Sequence, residues 1–159
     1  PLGGQKTGPN PTDRAKTGTK RSLLTDGRGV PLGLVAAGAN VNDHKLLPST
    51  FDSVPVKRPE PKSGHTQHLC LDAAYDCNEV RLWGDKFHLR LHIRPRRPPA
   101  TPPKKSRRKK ARRWVVERSH SWMNRFRRIL IRWEKREDTY LAMLHLALGI
   151  ITWFHFLPR

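Results

Sequence analysis

The strongest restriction on the fold comes from the dipeptide Asp26-Gly27 and the two apolar runs on either side of it. The runs cover residues 22–25 and 30–36. An Asp-Gly pair between apolar segments is a strong short-range signal for a β-hairpin. Residues 1–20 are rich in Gly, Pro, Thr and Lys and are predicted to be an irregular lead-in to this hairpin.

Segments with helix and strand patterns alternate after the hairpin. Asn42 or Asp43 is a candidate N-cap for a short helix. The run QHLCLD (67–72) predicts a buried strand, followed by a helix that ends at Gly84. Alternating apolar residues over 87–95 predict a second strand with one solvated face.

The last third of the chain is predicted to be helical. A Pro-rich and basic linker at 96–111 precedes two helices, over about 112–136 and about 138–156. The order of elements is hairpin, helix, strand, helix, strand, helix, helix. This order indicates a mixed α/β domain with helices packed against a sheet.

The charge of the chain indicates its type of partner. There are 32 Lys and Arg against 13 Asp and Glu, a formal net charge of +19. Such an excess favours a polyanion, either nucleic acid or an anionic membrane surface. Cys70 and Cys77 give no disulfide framework, which favours a reducing, intracellular setting. Their spacing to His65 and His68 does not fit a closed zinc finger.

An apolar segment near the end leaves a membrane alternative open. Residues 141–157 are almost continuously apolar, but they number 17 and include His145 and His155. A transmembrane helix needs about 20 apolar residues. A buried core helix is therefore favoured over a membrane anchor.

Asp72 stands out because it closes the predicted strand 67–72. Open α/β sheets place their ligands at the carboxyl ends of strands, so an acid there is a candidate for a functional site. The plain alternative is that Asp72 caps the helix that begins beside it.

Glu117 stands out because it is the only acid between Asp85 and Glu134. It is predicted to lie on a polar, basic side of the long helix. The plain alternative to a functional role is that Glu117 forms an ion pair with Arg113 on that side. The core stripe of that helix is predicted to consist of Val115, Trp122, Phe126, Ile129 and Trp133. A strand-end acid and a helical acid in a basic protein favour metal-dependent phosphoryl transfer, in which carboxylates hold divalent ions.

Three segments, 10–40, 69–76 and 112–135, resemble the DDE transposases of bacterial insertion sequences, in the broad insertion-sequence-four/five group. The resemblance runs over essentially the whole chain. It implies an RNase H-like fold, in which a mixed sheet is flanked by helices. It also implies cutting and joining of DNA with two divalent ions, Mg²⁺ or Mn²⁺, held by Asp, Asp and Glu.

The resemblance implies a role for two acids of this chain. Asp72 matches the family's second Asp, and Glu117 matches its Glu. The first Asp lies on a strand upstream of the segment 3–14 in the family. We therefore expect an N-terminally truncated chain, in which residues 21–159 form a partial RNase H-like catalytic domain that lacks the first central strand and is inactive by itself. Asp26 is better explained by the hairpin turn.

Two motifs depart from the family's pattern and keep an alternative open. Ala73 and Ala74 stand where the family usually has a basic or small residue followed by Gly, and Asn124 stands at a usually basic position. A noncatalytic DNA-binding remnant of a transposase is therefore the second hypothesis.

The implied partner is transposon-end DNA, and basic side chains are expected to bind its phosphates. A homodimer stays open, no membrane partner is expected, and the expected location is the bacterial cytoplasm, in association with the nucleoid. The candidate DNA-binding residues are Lys109, Lys110, Arg112, Arg113, Arg127 and Arg128.

Overall fold

The computed structural model describes residues 4–60, 65–93 and 114–157. The strands are β1 (Gly8–Pro9), β2 (Thr17–Thr25), β3 (Pro31–Gly38), β4 (Gln67–Leu71) and β5 (Leu89–Ile93). The helices are α1 (Asp43–Asp52), α2 (Asn78–Lys86), α3 (Trp114–Asn124), α4 (Arg127–Leu130) and α5 (Glu137–Phe156). The chain divides into two compact units, Pro1–Val56 with Val115–Arg159, and Lys57–Trp114.

The predicted hairpin is confirmed in the first unit. Strands β2 and β3 pair antiparallel, with Leu23 opposite Leu34, and β1 adds a short third strand on the far side of β2. The lead-in is therefore not irregular throughout, because β1 and the first four residues of β2 lie within residues 1–20.

Asp26 organises the loop between β2 and β3. Its Oδ1 accepts hydrogen bonds from the backbone N–H groups of Arg28 and Val30, both at 2.8 Å. A side chain that bonds the backbone two residues further on is typical of Asp in turns. The assignment of Asp26 to the hairpin turn is confirmed.

The prediction of one continuous helix over 112–136 is wrong. The described part of this segment consists of α3 and α4, and the backbone is extended at Phe126 and again at Ile131. The helical period therefore does not continue to Trp133, which is 66% exposed rather than part of the core. On α3 the buried positions are Val115, Ser119 and Met123, four residues apart.

The core of the first unit lies between β3 and α5. Leu34 and Ala36 from β3 are buried with Met123, Ile129 and a stripe of α5. The buried residues of α5 are Tyr140, Leu144, Ala147, Leu148 and Ile151. Burying one such Leu side chain stabilises a fold by about 1.5–3 kcal/mol relative to exposure.

Helix α5 passes the length and composition test for a membrane span. A core helix of a soluble protein passes the same test, and one face of α5 packs into the core described above. The prediction of a core helix fits this packing.

The second unit is a parallel pair of strands joined by a helix. Strands β4 and β5 pair in parallel with Leu69 opposite Leu91, and α2 connects them. The predicted helix before Gly84 begins as a separate 3₁₀ turn, Ala73–Tyr75, and α2 continues past Gly84 to Lys86. A Cβ atom on Gly84 would lie 2.6 Å from Leu91, so this glycine allows α2 to pack closely on β5 rather than ending the helix.

The described strands thus form two sheets, β1-β2-β3 and β4-β5. Together with the helices they make a mixed α/β protein, as predicted.

Candidate functional site

Asp72 lies directly after β4 and caps the 3₁₀ turn that follows. Its Oδ1 accepts the backbone N–H of Ala74 at 2.8 Å. The capping role considered from the sequence is therefore present. One carboxylate oxygen is enough for this bond, and Oδ2 makes no hydrogen bond within the described residues. Capping fixes the orientation of the carboxylate and leaves one oxygen available to a ligand.

Glu117 is exposed in the first turn of α3, outside the buried stripe of that helix. The hairpin loop determines where this turn lies. Ser119 on α3 donates its hydroxyl to the carbonyl oxygen of Gly29 at 2.8 Å, and Arg118 donates to the carbonyl oxygen of Arg28. Helix α3 is thereby attached to the β2–β3 loop close to Glu117.

Gly29 makes this attachment sterically possible. Its φ is +88°, and a Cβ atom there would lie 3.0 Å from the guanidinium of Arg118 and 3.2 Å from the hydroxyl of Ser119. Both the backbone conformation and the close approach of α3 favour glycine.

Asp72 and Glu117 belong to different compact units, so their convergence on one ion stays a prediction. Their donor chemistry fits Mg²⁺ or Mn²⁺, since carboxylate oxygens are the ligands that hard cations prefer. Within residues 4–60, 65–93 and 114–157, no group of three or more His, Cys, Asp or Glu side chains is arranged to hold a metal ion.

Two of the six candidate DNA-binding residues lie in the described part of the chain. Arg127 and Arg128 are adjacent and exposed on α4. Arg128 pairs through Nε with Oε1 of Glu134 at 3.0 Å, and its side chain stays 72% exposed. The other four, Lys109, Lys110, Arg112 and Arg113, lie outside the described residues.

The polar, basic side of the helix that the sequence predicts around Glu117, with Arg113, His120, Asn124 and Arg127, is only partly present among the described residues. Arg127 belongs to α4 rather than to the helix of Glu117. His120 is half-buried, and burial together with the positive charge of Arg21 lowers its pKa. Asn124 accepts a hydrogen bond from Arg21 at 2.9 Å through Oδ1. This side of α3 therefore contacts β2 as well as solvent.

Sequence reasoning missed two arginines that line a cavity in the first unit, Arg21 on β2 and Arg132 after α4. Arg132 is only 9% exposed. The sequence did not indicate that Arg132, between Ile131 and Trp133, is buried, because a continuous helix over 112–136 would have placed its side chain in solvent.

The sequence is similar to known transposases along most of its length. The model of a protein family described as "Transposase DDE domain" matches residues 1–151. A protein of Burkholderia cepacia, described as a transposase for insertion sequence element IS402, is 37% identical over 156 residues, which are 95% of this chain and 70% of the relative. No solved structure matches the chain.

Proposed function

This chain belongs to the DDE transposase family, and we propose that it takes part in metal-dependent cleavage and transfer of DNA strands at insertion-sequence ends. The family match over residues 1–151 carries the proposal, since it includes both acids that the sequence pattern assigns to the site. The fold proposed with it is RNase H-like, with the two observed sheets as its parts.

Asp72 and Glu117 are proposed to hold the divalent ions. In such sites bound ions supply activation of the attacking oxygen and charge stabilisation of the leaving oxygen. The role proposed for the residues of this chain is to hold the two carboxylates in position for the ions. The backbone N–H of Ala74 donates to the Asp72 carboxylate at 2.8 Å and so fixes its orientation. The hydrogen bond from Ser119 to the β2–β3 loop holds the turn of α3 that carries Glu117.

The basic residues are proposed to bind the phosphates of the DNA ends. The net charge of +19 supports this role, and the positively charged side chains of Arg127 and Arg128 are exposed. The residues Lys109, Lys110, Arg112 and Arg113 are proposed to extend the same interface. Contacts of this type position the DNA without reading its sequence. A cytoplasmic, nucleoid-associated location and a homodimeric assembly are proposed with this function.

A noncatalytic DNA-binding remnant is the second candidate. The observation that favours it concerns Asn124, which occupies a position that is usually basic in the family. Its Oδ1 accepts a hydrogen bond from Nη2 of Arg21 at 2.9 Å, and an amide adds no positive charge for a phosphate. Such a protein would keep the basic interface and would cut no DNA.

A strand-cleavage assay on the terminal inverted repeats separates the two candidates. It should compare residues 1–159 with a version extended upstream through the family's first Asp. Asp72 and Glu117 are the two residues of the shorter chain that are proposed to match the family's three carboxylates, so we expect this chain to bind the repeats without cutting them. The extended version should cut in Mg²⁺.

Matched variants of the extended version test the two acids. Asp72→Asn and Glu117→Gln should each reduce cleavage by about 100-fold or more, because changes in the partners of metal ligands alone cost about 10–100-fold. Asp85→Asn, which removes an exposed carboxylate in the same unit as Asp72, is the control and should cut normally. Binding without cleavage by every version would favour the DNA-binding remnant.

A further inference from the structure

Helix α5 has an exposed apolar face opposite to the face that packs into the core. The exposed residues recur every three or four positions and therefore form one stripe along the helix. This α5 stripe consists of Ala142, His145, Leu146, Gly149, Trp153 and Phe156. Leu146 is 66% exposed, and Trp153 and Phe156 are each 67% exposed. Apolar side chains exposed side by side in this way mark an interaction site.

The α5 stripe lies in the longest part of the chain without charged side chains. Residues 139–158 contain no Lys, Arg, Asp or Glu, whereas the whole chain has a net charge of +19. Two copies of such a protein repel each other, and the repulsion is weakest where neither copy presents charge. The stripe is thus unsuited to nucleic acid, and two copies can meet on it without placing like charges together.

The sizes of the residues make the stripe complementary to itself. Ala142 and Phe156 are each seven positions from Gly149. Antiparallel pairing about a two-fold axis at Gly149 therefore places Ala142, a small residue, against the partner's Phe156, a large one. A surface that meets itself across a two-fold axis is the usual interface of a symmetric dimer.

Gly149 allows the two helices to approach closely at that axis. A Cβ atom added to Gly149 would have no other atom within 4 Å, so nothing in the described structure requires glycine at this position. An exposed glycine in the interior of a helix is destabilising relative to alanine. Its benefit lies in pairing, because the distance between two packed helices depends on the side chains at their contact.

The area of the stripe indicates a reversible dimer. One aromatic side chain can bury about 150–250 Å². At 67% exposure, Trp153 and Phe156 therefore offer about 200–330 Å² together in each copy. With Leu146 added in both copies, the paired stripes bury an area below about 1,200 Å², which is typical of transient complexes.

A membrane is a less suitable partner for α5. The helix is long and apolar enough to cross a bilayer, but its other face, which includes Tyr140, Leu144 and Ile151, is buried in the core of the first unit. Insertion into a bilayer would take this core apart, whereas pairing with a second copy leaves it intact.

We propose that α5 pairs antiparallel with α5 of a second copy along the α5 stripe and so forms a reversible homodimer. This inference assigns an interface to the homodimeric assembly and rests on that part of the proposed function. It does not rest on strand cleavage, since the pairing needs neither metal nor DNA.

Sedimentation velocity over a range of protein concentrations measures the dimer, in the 159-residue chain and in the extended version. We expect dimerisation to strengthen with added salt, because salt screens the repulsion between two copies of charge +19. Leu146→Glu should weaken the dimer about tenfold or more, since pairing would bury an unpaired charge. The matched control is Leu82→Glu, at a leucine that is 70% exposed on α2, and it should dimerise like the unchanged chain.

Gly149→Leu separates helix pairing from unspecific apolar association. The space around position 149 is open and leucine is the better helix former, so the variant should fold, as thermal unfolding will check. The larger apolar side chain would strengthen an unspecific association. It should weaken the proposed dimer about tenfold, because it holds the two helices apart.

A pair of size changes tests the antiparallel direction. Ala142→Phe should weaken the dimer, because it places two phenylalanine rings against each other. Adding Phe156→Ala exchanges the sizes and should restore dimerisation. In a parallel pair, position 142 would face position 142, and the second change would restore nothing.

Three results would overturn the proposal. Equal dimerisation of Leu146→Glu and Leu82→Glu would place the contact on another surface. Dimerisation of the 159-residue chain but not of the extended version would identify the upstream segment as the partner of the stripe. Binding to vesicles of phosphatidylcholine that is lost in Leu146→Glu, without a dimer in solution, would identify a membrane. Failure of strand cleavage would count against the proposed metal chemistry alone, since sedimentation requires no cleavage.

Discussion

His120 lies half-buried on α3, within reach of the charge of Arg21. Burial and that charge lower its pKa from the ordinary value of 6.5. The unfolded chain therefore binds a proton at this site more readily than the folded chain. The contribution of His120 to folding stability is fully present above 6.5, the pKa in the unfolded chain. It is lost as the pH falls from 6.5 towards the lower pKa in the folded chain.

Replacing His120 should change the pH dependence of stability. We expect His120→Gln to flatten the loss of unfolding free energy between about pH 7 and about pH 5, measured by denaturant titration. His145→Gln, at an exposed position on α5, is the control and should leave the pH dependence unchanged. Equal slopes for His120→Gln and the unchanged chain would contradict the assignment of the shift to His120.

Individual residues were predictable where local chemistry determines them. Asp26 was assigned to the hairpin because Asp-Gly turns need only neighbouring backbone groups, and both of its 2.8 Å bonds are to that loop. Gly29 and Arg132 were not identified. Their roles depend on α3 and on Tyr140, and no local pattern records how these elements pack.

The two adjacent arginines of α4 form the best-defined part of the proposed DNA interface. Replacing Arg127 and Arg128 together by Ala should weaken duplex binding for all sequences alike. The slope of log K against log salt should become shallower by about 0.9 for each phosphate that the protein no longer neutralises. The measurement is a salt titration of duplex affinity, with Arg136→Ala as the exposed control. An unchanged slope would place the DNA on another surface.

Among the secondary-structure elements, the strands and short helices were predicted more accurately than the long helix. Alternation and turn residues identified β2, β3, β4 and β5. The break between α3 and α4 was missed because the segment 124–127 contains neither Gly nor Pro, so its helical period looks unbroken. Packing determines the break instead: the extended backbone at Phe126 lets Ile129 enter the core with Tyr140.

For the protein as a unit, the sequence established the mixed α/β class and the transposase family. It did not establish how the parts are joined. The described strands form a three-stranded antiparallel sheet and a two-stranded parallel sheet, which belong to separate compact units. The two acids of the proposed site, Asp72 and Glu117, belong to these separate units, so their convergence on one ion stays a prediction.

Iron-directed backbone cleavage tests whether Asp72 and Glu117 hold one ion between them. Fe²⁺ replaces Mg²⁺ in the extended version, peroxide and ascorbate are added, and the peptide fragments are identified by mass spectrometry. Carboxylates that share an ion bind it at just over about 2 Å, so radicals formed there should cut the backbone near both residues. We predict cuts next to Asp72 and next to Glu117, both abolished in Asp72→Asn and both competed by Mg²⁺. Cuts at only one of the two segments, or cuts near Glu117 that persist in Asp72→Asn, would contradict a shared site.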